Sequence, residues 1–210
     1  MTVAALAGIL YVSPMTVRRD LAALEAQGFI TRYRGGAVAR TAGVLPVSER
    51  MHLEEEEKRT LCERAAAYLA DGQTVFVDFS STCQFLLPHL KKFNDIRLVT
   101  NSVKALTAAE ALGIPCFLIG GDYCARDMCT LGTAAERTAD TINPDVAFFS
   151  AQGYSNDGRI TDATAAALTF RERIVKNAAL SVFLFERAKC GKCYPYTLCP
   201  AEGRRIVILT

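Results

Sequence analysis

From Thr74 onward the chain repeats one pattern: a short apolar run, a small polar tip, then a stretch of helical composition. The runs are Thr74–Val77 closing on Asp78, Ile96–Thr100, Cys116–Ile119, Val146–Phe149, Leu180–Phe185 and Ile206–Leu209. They are too short for buried helices, rich in β-branched and aromatic residues, and separated by helix-length segments such as 103–112. Strand–helix alternation of this kind predicts an α/β domain with a mostly parallel sheet and helices on both faces. Ligands of such sheets collect outside the carboxyl ends of the strands. The tips therefore define the candidate site: Asp78 with Ser80, Ser81 and Thr82, then Thr100 with Asn101 and Ser102, then Gly120 and Gly121, and then Gln152 and Gly153 after Ser150. Singly, a glycine pair is also a turn and a Thr-Asn pair also a helix cap. Several polar tips at one sheet edge point to a pocket. Ser80–Thr82 leads from a strand into a helix N-terminus, which is a ready anion site. Lys189, beside Cys190, Gly191 and Lys192, is the cation expected to face an anionic ligand. Ahead of the first strand, Glu54–Arg59 opens a helix with its acids at the favourable end, and Leu61, Ala65 and Leu69 form its apolar face.

The first quarter is built differently. Residues 1–50 carry six arginines against Asp20, Glu25 and Glu49, whereas the remaining residues hold 18 basic and 19 acidic side chains. Positive charge is thus concentrated where a polyanion would be met. Thr2–Gly8 reads as a short helix and Ile9–Val12 as a turn. Ser13-Pro14 starts a second helix with a capping hydroxyl and a proline at its first position. Val17, Leu21 and Leu24 give that helix a core face, and Gly28 ends it. Residues 29–38, with the pair Gly35-Gly36, suit two short strands joined by a tight turn. Helix, turn, helix and basic hairpin is the plan of a winged helix-turn-helix, whose second helix enters the major groove while wing arginines lie along phosphates. The candidate DNA-contact set is Ser13, Thr16, Val17, Arg18, Arg19, Arg32, Arg34, Gly35 and Gly36, with Arg18 and Arg19 as base and phosphate readers. The module spans 1–38, a linker containing Gly43 and Pro46 spans 39–50, and the sensing domain spans 51–210.

Val12-Ser13-Pro14-Met15-Thr16-Val17-Arg18-Arg19-Asp20-Leu21, followed by Leu24, Gly28, Ile30, Arg32 and Gly35-Gly36-Ala37, resembles the DNA-binding signature of the DeoR family of bacterial repressors. That family carries further residues ahead of this match that form a first helix. A partial module buries little surface and is expected to expose Leu6, Leu21 and Leu24, so weak or absent operator binding is the expectation for the chain as written. The resemblance continues through Glu57-Lys58, Asp78–Thr82, Thr100–Ser102, Gly120-Gly121, Gly132, Asp145–Gly153, Gly158–Asp162 and Lys189–Gly191. It implies a domain similar in fold to ribose-5-phosphate isomerase, which senses a phosphorylated sugar and relieves repression when the sugar binds. Phosphate would lie near Ser80, Ser81 and Thr82, and Asp162 joins the candidate ligand residues. Where the family shows D-x-S-K, this chain has Glu186-Arg187-Ala188-Lys189. The family also continues beyond the last strand.

The rival reading is a sugar-phosphate isomerase using Asp78, Asp162 and Lys189 as carboxylate base and lysine. Against it, Ser150–Gly153 offers no carboxylate and neither His52 nor His89 falls at a strand tip. Cys190-x-x-Cys193 with Cys199 has thiolate spacing but no second pair at zinc-finger distance, and Cys124 and Cys129 join only if the fold brings them near. Reduced thiols with no metal and no cofactor are expected. The first residues lack a secretory leader and no apolar run is long enough to span a bilayer, so a cytoplasmic protein without membrane contact is expected. Its partners would be double-stranded operator DNA, a phosphorylated sugar and further copies of itself, as a homodimer or higher even oligomer. Coupling would arise if ligand binding altered subunit pairing and hence the spacing of the recognition helices.

Overall fold

The computed structural model describes residues 2–26, 30–39, 45–198 and 205–210. The chain divides into two compact units, Met1–Leu53 and Glu54–Thr210.

In the first unit α1 (Val3–Leu10) begins at Thr2, whose hydroxyl accepts from the Ala5 amide at 3.1 Å. Helix α2 (Pro14–Ala26) begins at Ser13, whose Oγ accepts from the Thr16 amide at 3.1 Å. The wing follows as an antiparallel hairpin, β1 (Ile30–Tyr33) and β2 (Gly36–Ala39), and Thr2 bridges Gly36 on its open side. Val17, Leu21 and Ala37 form a small core with Val3, Leu6, Ala7 and Ile30 packed against it. Leu21 is therefore buried, contrary to the expectation of exposure. Leu24 is the reverse case: its spacing suggests a core face, yet it is 39% exposed. Gly28 lies outside the described residues. Helix α3 (Val47–Arg50) forms within the stretch read as a linker, and the His52 ring stacks on Tyr33 with centroids 5.1 Å apart. The division between units therefore falls at 53/54, three residues beyond the expected linker end.

Tyr11 closes α1 with φ +52° and ψ +38°, the left-handed conformation that crowds Cβ against the following carbonyl. Its side chain is almost fully exposed and packs on nothing that would repay the strain. Tyr11→Gly is expected to stabilise the first unit by about 1 kcal/mol, read from urea or thermal unfolding of that unit.

The second unit opens with α4 (Glu55–Ala65). Then follow β3 (Thr74–Val77), a 3₁₀ turn (Cys83–Leu86) running into α5 (Leu87–Leu90), β4 (Arg97–Thr100), α6 (Val103–Leu112) and β5 (Cys116–Leu118). A hairpin of β6 (Asp122–Cys124) and β7 (Cys129–Leu131) precedes α7 (Thr133–Ala139) and β8 (Val146–Phe149). The chain continues through β9 (Gly153–Tyr154), β10 (Ile160–Asp162), α8 (Ala165–Asn177), β11 (Leu180–Leu184), β12 (Tyr196–Thr197) and β13 (Arg205–Leu209). The central sheet has the order β13-β11-β8-β3-β4-β5, and every pairing in it is parallel. Alternation along each strand divides the core in two. Val75, Val77, Leu98 and Phe148 pack under α4, α5 and α6, whereas Phe76, Val99, Ala147, Phe149 and Phe183 pack under α7 and α8. The β6–β7 hairpin and the small sheet β12-β10-β9 were not read from the sequence, because their strands are two or three residues long and carry no apolar period.

Candidate functional site

In the first unit, Arg18 on α2 and Arg34 on the wing line a concavity of about 710 Å³ with Thr2, Pro14, Arg32, Tyr33, Gly35 and Gly36. Gly35 takes φ +97° in the wing turn. Arg19 is exposed, and its 3.6 Å pair with Asp20 is too solvated to hold it. Arg32 is placed differently from the sequence reading: its Nε lies 2.6 Å from Glu25 Oε2, and its amide donates to Glu25 Oε1 at 2.8 Å. The Arg32 amide and guanidinium hold the Glu25 carboxyl below the usual carboxylate range. Val17 is 3% exposed and belongs to the core that seats α2, and the Thr16 hydroxyl is hydrogen-bonded to Ser13 Oγ at 2.9 Å. Arg18, Arg19 and Arg34 are exposed, and Arg32 is exposed as well but paired with Glu25.

In the second unit the tips of β3, β8 and β11 converge on one ammonium. Lys189 Nζ donates to Ser150 Oγ at 2.8 Å and to Thr82 Oγ1 at 3.3 Å, and lies 2.7 Å from Glu186 Oε2. Thr82 Oγ1 in turn donates to Glu186 Oε1 at 2.7 Å, with Lys58 Nζ of α4 3.8 Å from the same oxygen. Burial pushes the Glu186 carboxyl up, but Lys189, Lys58 and the Thr82 hydroxyl outweigh it and hold it below its ordinary value. Ser80 Oγ accepts from the Cys83 amide at 3.3 Å, which caps the 3₁₀ turn, and Ser81 is buried beside it. Lys189 and Lys58 flank the Glu186 carboxylate next to hydroxyls and a turn N-terminus. That combination suits a phosphate-sized anion.

A second buried group stands beside it. Arg171 of α8 donates from Nη2 to Asp78 Oδ2 at 3.0 Å and from Nη1 to Asp162 Oδ2 at 2.7 Å, with its guanidinium 4.7 Å from the Phe79 ring centre. Burial drives the Asp78 carboxyl up despite this partner, while the two aspartates keep Arg171 firmly protonated. Asp162 Oδ1 also accepts from the Thr164 amide at 3.3 Å, just before α8.

The remaining tips are engaged by the fold. Thr100 Oγ1 donates to Val77 O at 2.6 Å and accepts from the Ser102 amide at 3.0 Å, and Ser102 Oγ caps α6 through the Ala105 amide at 3.1 Å. Asn101 Nδ2 donates to Thr130 O at 3.0 Å, tying the β6–β7 hairpin to the tip of β4. Gly121 has φ +153°, and a Cβ there would fall 2.5 Å from Leu131 O, so this glycine closes the hairpin, whereas Gly120 faces open space. Gln152 is half-buried beyond β8. A Cβ on Gly153 would lie 2.4 Å from Lys192 O. That contact seats the segment carrying Lys189 against β9, where the Gly191 amide donates to Tyr154 O at 2.8 Å.

Sequence reasoning left Lys58, Glu186 and Arg171 out of the candidate set. Arg171 had a legible signal, an arginine on a helix face otherwise made of Leu168, Phe170, Ile174 and Val175. A charge at that position demands a buried counter-ion. Cys190 and Cys193 are exposed free thiols, and Cys199 lies outside the described residues. Burial pushes the Cys62 thiol up to about 12. No three His, Cys, Asp or Glu side chains among the described residues group as a metal would require, and no helix among them is long and apolar enough to cross a membrane.

Residues 53–209 match the model of the DeoR C-terminal sensor domain, and residues 1–42 match that of the DeoR-like helix-turn-helix domain. The chain belongs to the DeoR family. This DeoR member is similar to the HTH-type transcriptional regulator GolR of Listeria innocua, 28% identical over 210 residues covering 99% of the chain and 83% of that protein. It is 27% identical over 183 residues to the glycerol-3-phosphate regulon repressor of Escherichia coli, covering 86% and 73%. To the HTH-type transcriptional repressor GlcR of Bacillus subtilis it is 31% identical over 186 residues, covering 87% and 71%. Among solved structures, a D-ribose-5-phosphate isomerase in complex with phospho-erythronic acid aligns with a TM-score of 0.49 at 20% identity, over 65% of this chain and 54% of that one. The sorbitol operon regulator SorC of Klebsiella pneumoniae aligns with a TM-score of 0.41 at 14% identity over 90% and 85%. As a DeoR-family chain the protein is a DNA-binding transcriptional regulator with an effector-sensing domain. These curated relatives are named regulators, which does not favour the isomerase reading.

Proposed function

We propose that the protein represses sugar-metabolism genes by binding operator DNA through α2 and the wing, and that a phosphorylated sugar bound over the tips of β3, β8 and β11 releases it. The observation that carries this reading is the cluster of Lys189, Lys58, Thr82 and Ser150, a lysine- and hydroxyl-lined seat at the carboxyl edge of a parallel sheet. The name of the Escherichia coli relative, a glycerol-3-phosphate regulon repressor, supports a phosphorylated polyol as the ligand class. The active form is a cytoplasmic homodimer or higher even oligomer, whose subunit pairing sets the spacing of the two recognition helices.

A thermal-shift screen of pentose, hexose and triose phosphates tests the ligand. The right compound at 100 times its dissociation constant adds about 2.7 kcal/mol of stability, and no stabilisation by any of them refutes the reading. On the DNA side, whatever binding the chain as written retains for the promoter fragment upstream of the gene is expected to weaken further in Arg18→Ala and Arg34→Ala. Each lost phosphate contact flattens the salt slope by about 0.9. Affinities measured between low and moderate salt check this, and unchanged slopes would place the interface elsewhere.

A further inference from the structure

We propose that Glu186 sets the anion affinity and charge preference of the sensor site. In the free protein its carboxylate takes the donors that an incoming phosphate oxygen needs, so ligand binds in competition with a built-in anion. This rests on the phosphate-seat reading above and adds a residue that governs it.

A lysine ammonium has three hydrogens. Lys189 has three acceptors in reach: Ser150 Oγ at 2.8 Å, Thr82 Oγ1 at 3.3 Å and Glu186 Oε2 at 2.7 Å. Thr82 has one hydroxyl hydrogen, and it points at Glu186 Oε1, 2.7 Å away. The Thr82 hydroxyl is thus directed at the carboxylate, and the Lys189 ammonium is ion-paired with its other oxygen, which accepts no hydrogen bond. The hydroxyl acceptors around Lys189 can turn and donate to a new anion, because a hydroxyl carries both functions. Glu186 can only accept, so it alone must give way. Exposure sets the order of events. The side chains of Glu186 and Lys58 are 2% and 4% exposed, whereas that of Lys189 is 22% exposed and is what an anion from solvent meets first.

Removing the negative charge therefore has opposite effects on stability and on binding. In Glu186→Gln the amide keeps the shape of the side chain, but Lys58 and Lys189 lose their shared counter-ion. The apo variant is expected to melt lower than the parent. Its affinity for inorganic phosphate is expected to rise at least tenfold, with phosphate restoring most of the lost stability. Glu186→Asp, which withdraws the carboxylate by one methylene and keeps its charge, is expected to bind phosphate tighter than the parent and weaker than Glu186→Gln.

The experiment is isothermal titration and thermal shift of the full chain and both variants with sodium phosphate, using sodium chloride at matched ionic strength as the control. Phosphate binding that is unchanged or weaker in both variants overturns the proposal, as does equal rescue of Glu186→Gln by chloride. If Glu186→Gln does not fold, Glu186→Asp decides alone: tighter phosphate binding supports the role and unchanged or weaker binding overturns it. The sugar-phosphate reading fails separately, when the variants gain inorganic phosphate affinity but no sugar phosphate binds the parent chain.

Discussion

Arg171→Leu is expected to destabilise the second unit by about 3–5 kcal/mol, a large fraction of the 5–15 kcal/mol that holds a domain of this size together. The guanidinium is 3% exposed and is shared by Asp78, 0% exposed, and Asp162, 6% exposed. Leucine fills much of the space but leaves two carboxylates in the core with no cation. The loss should depend on pH in a defined sense. Asp78 already has a raised folded-state pKa, chiefly from burial, and without Arg171 it rises further. A carboxyl whose folded pKa lies above its unfolded value penalises folding above that folded value. The penalty disappears as pH falls below the unfolded one. Urea unfolding of parent and variant should therefore diverge most near neutrality and converge on acidification. A pH-independent gap would mean that lost packing, including the contact with the Phe79 ring, explains the effect. Arg171→Lys is expected to lose less, since it keeps the charge but not the fork that reaches both aspartates.

Gly153→Ala is expected to cost about 1–3 kcal/mol and to weaken phosphate binding at the same time. The added methyl meets Lys192 O at 2.4 Å and Thr161 Oγ1 at 2.9 Å, so the segment after Lys189 has to lift from β9 and β10. Lifting strains the Gly191 amide bond to Tyr154 O and the Tyr194 amide bond to Thr161 Oγ1, 3.1 Å long. Lys189 then moves with its neighbours, away from Ser150 and Thr82. Gly120→Ala is the matched control, because no heavy atom lies within 4 Å of its Cβ position and its backbone is not in the positive-φ region. It should leave the melting temperature unchanged. Loss of stability with phosphate affinity intact would separate the glycine's packing role from any influence on Lys189.

The arginines show how unevenly side-chain roles are written in sequence. Arg18 and Arg34 are exposed and line one concavity of the first unit, Arg18 on a helix capped at its start by Ser13. Arg32 carries the same type in the same wing and is tied to Glu25 instead, because the hairpin folds back across the end of α2 and brings position 25 beside it. The polar tips divide in the same way. Ser80 and Thr82 stand where strand leads into a helical turn, so local sequence places them. Thr100, Asn101 and Ser102 look alike in sequence, yet Ser102 caps α6 and Asn101 Nδ2 anchors the β6–β7 hairpin, an element whose three-residue strands give no periodic signal.

The sequence by itself determined the period of the central strands and the long helices, and with it the parallel sheet, the two-faced core and the basic helical module ahead of it. Burial of alternate residues and capping at Ser13 and Ser102 are local consequences of which side chains follow which. Which charges meet was decided only in three dimensions. Glu186 reaches Lys58 across 128 positions, and Arg171 reaches Asp78 across 93, through contacts made when α4 and α8 pack on opposite faces of one sheet. An ion pair in a dry interior depends on distances of a few ångströms between distant segments, and no nearest-neighbour pattern encodes such a distance.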